Sequence, residues 1–67
     1  MNIFATRLKE LREEKWIGQV ELAQNLKVSK GIISLWENGL RETSMHSLIA
    51  IADFFDCSID FLVGRTY

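Results

Sequence analysis

The sequence predicts an all-α fold, a compact bundle of five helices, and three features indicate it. The chain of 67 residues contains no proline. Apolar residues recur at helical spacing, and no segment alternates between apolar and polar residues as a strand does. The breaks between helical segments are short and carry glycine or a capping serine. We therefore expect a single domain, residues 1–67, with one core.

The first two helices are predicted from the spacing of their apolar residues. The first covers about residues 3–15, with the inward positions Phe4, Leu8 and Leu11. Gly18 permits a break. The second helix begins at Gln19, with the inward positions Leu22, Ala23 and Leu26.

A tight turn at Lys27 and Val28 separates the second helix from the third, and Val28 is expected to reach the core. Ser29 is a good N-cap for the third helix, because its hydroxyl can accept a hydrogen bond from a first-turn N–H. Gly39 is expected to end that helix in the left-handed conformation. Ile33 and Trp36 are expected to face inward.

The last two helices follow short polar breaks. Thr43 or Ser44 caps the fourth, which runs through MHSLIAIADFF. Its predicted inward face is Met45, Leu48, Ala52 and Phe55, flanked by Ile49 and Ile51. Ser58 caps a short fifth helix, IDFLV, and Gly64 stops it.

Composition excludes several classes of protein. The net charge is −1, but residues 1–41 carry +2 and residues 42–67 carry −3, which would turn the first part toward a polyanion. No cluster of His and Cys predicts a metal, and the lone Cys57 cannot form an internal disulfide. No catalytic constellation, cofactor motif or small-molecule site is evident, so we do not expect an enzyme. The lack of a membrane span or signal-peptide pattern predicts the cytoplasm and no membrane partner.

Residues 19–39 have the layout of a helix-turn-helix, two short helices around a tight break. With RLKELREEK, SLIAIADFF and SIDFLVG around it, the chain resembles the Xre-type helix-turn-helix family of phage repressor and Cro-like DNA-binding domains. The most specific matches are Gln-x-x-Leu-Ala, Ser-x-x-x-Ile-Ser-x-Trp-Glu-Asn-Gly and the closing Leu-x-Gly. The resemblance implies a lambda-repressor-like fold whose third helix lies in the DNA major groove.

The resemblance also assigns site residues. Those expected to contact DNA phosphates are Gln19, Lys27, Ser29, Ser34, Asn38 and Arg41. Those expected to face base edges are Lys30, Gly31, Ile32 and Leu35. Arg12 and Glu37 are expected to pair, either as a brace between helices or as an ordinary surface ion pair.

The chemistry of these residues leaves choices open. Lys30 can donate to guanine or simply to a phosphate, whereas Leu35 and Ile32 can only make apolar contacts such as one with a thymine methyl. Lys27 is as compatible with a solvated turn as with a phosphate. Glycine at position 31 lowers helix stability. A close approach of the helix backbone to the groove would explain why glycine is present there.

Three departures from the family pattern stand out: Trp16-Ile17-Gly18 precedes Gln19, Thr43 replaces a common proline, and the reading face is apolar. Trp16 would be strained if it adopts a positive φ.

The predicted function is a sequence-specific DNA-binding transcriptional regulator, a repressor or small control protein of phage or bacterial origin. It would act as a homodimer on double-stranded DNA. The predicted dimer surface is Phe54, Ile59, Phe61, Val63 and Tyr67. The alternative is a protein-interaction module, such as an antitoxin or adaptor, that uses the apolar third helix.

Overall fold

The computed structural model describes residues 2–65, and it has the predicted all-α architecture. Within these residues there is no strand. The five helices are α1 (Ile3–Glu14), α2 (Gln19–Leu26), α3 (Lys30–Glu37), α4 (Met45–Phe55) and α5 (Ile59–Val63). Tyr67, which was predicted to lie in a dimer surface, falls outside the described residues.

Side-chain caps define where most of these helices begin. Asn2 Oδ1 accepts from the Ala5 N–H over 3.0 Å at the start of α1. Ser29, Ser44 and Ser58 do the same for α3, α4 and α5, so Ser44 and not Thr43 is the cap of α4. Only α2 begins without one, at Gly18. The predicted starts of the last three helices are confirmed because each depends on a local hydrogen bond.

Several helices end in the left-handed conformation. Gly39, with φ 70°, takes it after α3 as predicted. Trp16 and Lys27 on either side of α2, and Asp56 after α4, take it with φ between 54° and 60° although each has a Cβ. A residue with a Cβ loses about 1–2 kcal/mol in this conformation, so the backbone is strained just after α1, at the end of α2 and at the end of α4.

Replacing Lys27 with glycine should raise the free energy of unfolding by about 0.5–1 kcal/mol, because relief of the strain exceeds the extra entropy of an unfolded glycine. Urea denaturation measures the change. Lys27→Ala is the matched control, since it removes the same charge but keeps the Cβ, and it should give no gain. Equal stabilities of the two variants would contradict the interpretation that the backbone at Lys27 is strained.

Each helix contributes one fully buried side chain to the core. These are Leu8, Leu22, Ile33, Ile51 and Leu62. Trp36 is also buried, and its ring meets Phe4 of α1 edge-to-face at 6.2 Å between centroids. Because Ile33 and Trp36 are both anchored, the rotation of α3 about its own axis is fixed.

The inward face of α4 differs from the predicted one. Ile51 is fully buried, whereas Met45 is 61% exposed. Ile51 lies three residues after Leu48 and four before Phe55, which places it at the centre of the face. Met45 is the first residue of the helix and lies beyond the edge of the core, so its assignment to the inward face was wrong.

The apolar residues of the predicted dimer surface are more covered than the sequence suggested. Phe54, Ile59 and Val63 are half-buried and pack against the core. The Phe61 ring lies 4.2 Å below the guanidinium of Arg7, which also donates to the Phe61 carbonyl. The domain itself therefore covers part of each of these four side chains, and their role in a dimer stays a prediction.

Candidate nucleic-acid interface

The outward face of α3 is set by the side chains that anchor its inner face. With Ile33 and Trp36 buried, Lys30, Gly31 and Leu35 lie on the exposed side. Leu35 is 36% exposed, so part of its side chain already packs against the protein. Ile32 is half-buried and packs against the core. Less of its side chain is therefore available for the expected contact with base edges.

A partly buried ion pair fixes the end of α3 to α1. Arg12 Nε donates to Glu37 Oε2 over 2.7 Å, and Arg12 Nη2 donates to Glu37 Oε1 over 3.1 Å. The side chains of Arg12 and Glu37 are only 13% and 4% exposed. This two-bond geometry, shielded from water, matches the predicted brace better than an ordinary surface ion pair.

Gln19, the first residue of α2, belongs to the same cluster. Its Nε2 donates to Glu37 Oε1 over 3.1 Å. Glu37 thus holds α1, α2 and α3 together through one carboxylate. The hydrogen bond to Glu37 raises the pKa of the Arg12 guanidinium, and partial burial opposes that effect. The positive charge of Arg12 is therefore permanent and is matched locally.

The sequence did not reveal one further bond of this cluster. Arg12 Nη1 donates to the backbone carbonyl of Ile17 over 3.0 Å. Any residue supplies a carbonyl, so no residue type could signal this partner. The bond ties the segment between α1 and α2 to the end of α3.

Three cations near α3 are available to a ligand. Lys27, Lys30 and Arg41 are exposed, and none of their side chains has a hydrogen bond or ion pair within residues 2–65. The one carboxylate of α3, Glu37, is buried against Arg12. Within α3 itself the unpaired charge is therefore the positive one of Lys30, although the whole chain is slightly acidic.

The remaining polar residues of the predicted site already make internal bonds. Ser29 Oγ caps α3 by accepting from the Ile32 N–H over 3.2 Å. Asn38 Nδ2 donates to the Ser34 carbonyl over 2.8 Å, and Ser34 itself is half-buried. A hydroxyl oxygen or an amide can make a second bond, so these residues stay compatible with a phosphate contact.

Within the described residues, three other kinds of feature would point to a different function: a metal site, a reactive thiol and a membrane-spanning helix. Residues 2–65 contain no group of three or more His, Cys, Asp or Glu that could hold a metal ion. Cys57 is half-buried, and burial, followed by the charge of Asp56, raises the pKa of its thiol. A thiol with a raised pKa is a weak nucleophile. No helix in this part of the chain has the length and apolar character needed to cross a membrane.

Comparison with known proteins gives consistent matches. A family model described as helix-turn-helix matches residues 8–62. The transcriptional activator BcrR of Enterococcus faecalis is 42% identical over 61 residues, which are 91% of this chain and 30% of BcrR. This chain spans about a third to a half of the length of the curated relatives it matches.

Solved structures match over nearly the whole chain. The P22 c2 repressor, crystallised in complex with a synthetic operator, is 27% identical with a TM-score of 0.90, covering 98% of this chain and 100% of that one. The restriction-modification controller protein C.AhdI of Aeromonas hydrophila is 29% identical with a TM-score of 0.81, covering 88% and 89% of the two chains.

Proposed function

The chain belongs to the helix-turn-helix family, and from that premise we propose that it is a sequence-specific transcriptional regulator that binds double-stranded DNA. The observation that supports this most is its similarity, over nearly its whole length, to a repressor crystallised on an operator. The exposed cations beside α3 give the proposal a physical basis, since phosphate neutralisation supplies much of the affinity for DNA.

In this proposal α3 lies in the major groove with Lys30, Gly31 and Leu35 toward the base edges. Lys30 can donate to guanine O6 and N7, and Leu35 has only apolar surface to offer. We therefore expect a thymine methyl opposite Leu35. The half-buried Ile32 should make a smaller apolar contact. Selection of binding sites from random DNA tests this, and guanine-rich half-sites with no preferred thymine would contradict it.

The phosphate contacts come from the residues around α3. Lys27 and Arg41 are free cations, and Gln19 lies at the first turn of α2, where N–H groups without helical partners favour an anion. Ser29, Ser34 and Asn38 complete the set. Such contacts fix the register of α3 on the duplex but carry no sequence information themselves.

A single eight-residue helix can read only a few base pairs, so we propose that two copies bind two half-sites about 34 Å apart. The C-terminal residues Phe54, Ile59, Phe61 and Val63 remain our candidate dimer surface, together with Tyr67. By occupying its site, the dimer would block or recruit polymerase in the cytoplasm, without catalysis. Sedimentation that finds only monomer, with and without DNA, would contradict the dimer.

Titration of mixed-sequence DNA at several salt concentrations tests the proposed function. We expect the affinity to fall steeply with salt. Lys30→Ala and Arg41→Ala should each weaken binding. Arg41→Ala, which removes a proposed phosphate contact, should also reduce the slope of log K against log[salt] by about 0.9. Lys9→Ala, which removes an exposed cation of α1, is the matched control and should leave the slope nearly unchanged.

The protein-interaction module remains the second candidate, because the net charge is −1 and Leu35 exposes apolar surface at the centre of α3. The same titration separates the two functions. A protein that shows no measurable DNA binding at low salt, while it is folded, would favour a protein partner.

A further inference from the structure

Trp16 is the most exposed large apolar side chain among residues 2–65. It is 93% exposed, so it contributes almost nothing to the core. Its neighbour Ile17 packs against the core and does the structural work of this connection. Trp16 also holds the left-handed conformation, with φ 59°, which glycine adopts without strain.

Trp16 therefore introduces backbone strain but adds almost no packing to the core. Strained backbone conformations cluster at functional sites, so an observed one supports a hypothesis of function. An exposed tryptophan is also the side chain with the largest apolar area to offer a ligand. Both observations indicate that Trp16 contacts something outside the domain.

The position of Trp16 connects it with the residues that we propose contact DNA. Arg12 holds both the Ile17 carbonyl and Glu37, so the segment from Trp16 to Gln19 is fastened to the end of α3. Gln19, a proposed phosphate contact, follows three residues after Trp16. Val20, which is 53% exposed, comes next along α2. Gln19 is thus flanked along the chain by two exposed apolar side chains. Such a segment suits a nucleic-acid backbone, where each phosphate is flanked by sugars that present C–H surface.

We propose that Trp16 packs against the deoxyribose backbone of the DNA, beside the phosphate that Gln19 contacts and outside the base pairs read by α3. Because this contact needs DNA on the α2–α3 surface, it rests on the proposed function. The contact is apolar and neutralises no phosphate. Its contribution to affinity is therefore nearly independent of salt, unlike that of the proposed phosphate contact Arg41.

The first test is the salt dependence of DNA binding by Trp16→Gly. This variant should be folded and more stable than the parent, since it removes the strain. We expect it to bind mixed-sequence DNA about fivefold more weakly at every salt concentration, with an unchanged slope of log K against log[salt]. Trp16→Phe should keep most of the affinity. Asp56→Gly, which relieves the same conformation at the end of α4, should not lower it.

The second test uses the fluorescence of the two tryptophans. Trp36 is 4% exposed, so acrylamide quenching reports almost entirely on Trp16. DNA should protect this signal from acrylamide. If the parent protein binds DNA in the expected salt-dependent way but Trp16 stays quenchable and Trp16→Gly binds as tightly, the backbone contact is refuted and the proposed function stands. If the parent does not bind DNA at all, both fail.

Discussion

Replacing Glu37 with alanine is expected to lower the free energy of unfolding by about 2–4 kcal/mol, toward the value for removing one partner of a buried ion pair and well above that for an exposed pair. Arg12 would keep its charge at 13% side-chain exposure without the carboxylate that accepts its two hydrogen bonds. Gln19 would lose its partner as well. Because a domain of this size has a total stability of only about 3–5 kcal/mol, the variant should lose most of its stability at 25 °C.

Urea denaturation followed by circular dichroism measures this change. The double variant Arg12→Met with Glu37→Leu is the informative control, because it removes both charges and fills the space with apolar atoms. We expect it to be considerably more stable than Glu37→Ala, since no buried charge is left without a partner. A loss below about 1 kcal/mol for Glu37→Ala would mean that the pair behaves as an exposed one and does not brace the helices.

The double variant also separates stability from function. It should fold, but it lacks the shared carboxylate that orients Gln19 and the end of α3. If the brace positions α3 for DNA, this variant will bind more weakly than the parent while it remains folded. A folded double variant with full DNA affinity would restrict the role of the cluster to stability.

The local features of the fold were predictable because short-range chemistry determines them. A serine before an apolar run can satisfy a first-turn N–H without any tertiary contact, and this is why the starts of α3, α4 and α5 were confirmed. Gly39 was assigned correctly for the same kind of reason. The pairing of Arg12 with Glu37 came from the family resemblance, because residues 25 positions apart carry no local signal of contact.

Exposure of individual apolar residues could not be predicted in the same way. Met45 was placed inward and Ile51 at the edge because periodicity gives the direction of a side chain but not the extent of the core. Phe61 was assigned to the surface, since nothing in the sequence shows that Arg7 covers its ring. Conversely, the sequence suggested strain at Trp16 but not its near-complete exposure.

Substitution of Gly31 is expected to change stability and DNA affinity in opposite directions. A Cβ added at Gly31 would meet only Ser29 Oγ, at 3.8 Å, so packing within the protein does not require glycine there. Glycine inside a helix is less stable than alanine by about 1 kcal/mol. Gly31→Ala should therefore raise the free energy of unfolding by up to about that amount.

In the proposed complex, the same added atoms point toward the DNA. If α3 approaches the base edges at Gly31, alanine should weaken binding about fivefold and Gly31→Leu about 100-fold, by analogy with overpacking of about 1–3 kcal/mol at a close-packed site. Neither variant changes a charge, so the slope of log K against log[salt] should stay as in the parent. Stability and affinity must be measured on the same preparations, because only a folded variant tests the fit.

Gly31→Ala and Gly31→Leu show whether the backbone of α3 lies directly against the DNA groove or only near it. Weaker binding by leucine with a constant salt slope means that the helix backbone, and not only the cation of Lys30, lies against the groove. Full affinity of Gly31→Leu for DNA would instead leave the start of α3 away from the bases and reduce its role to a phosphate contact by Lys30. The stability gain of Gly31→Ala should survive in either case, because it depends only on helix propensity and on the open space around the added methyl group.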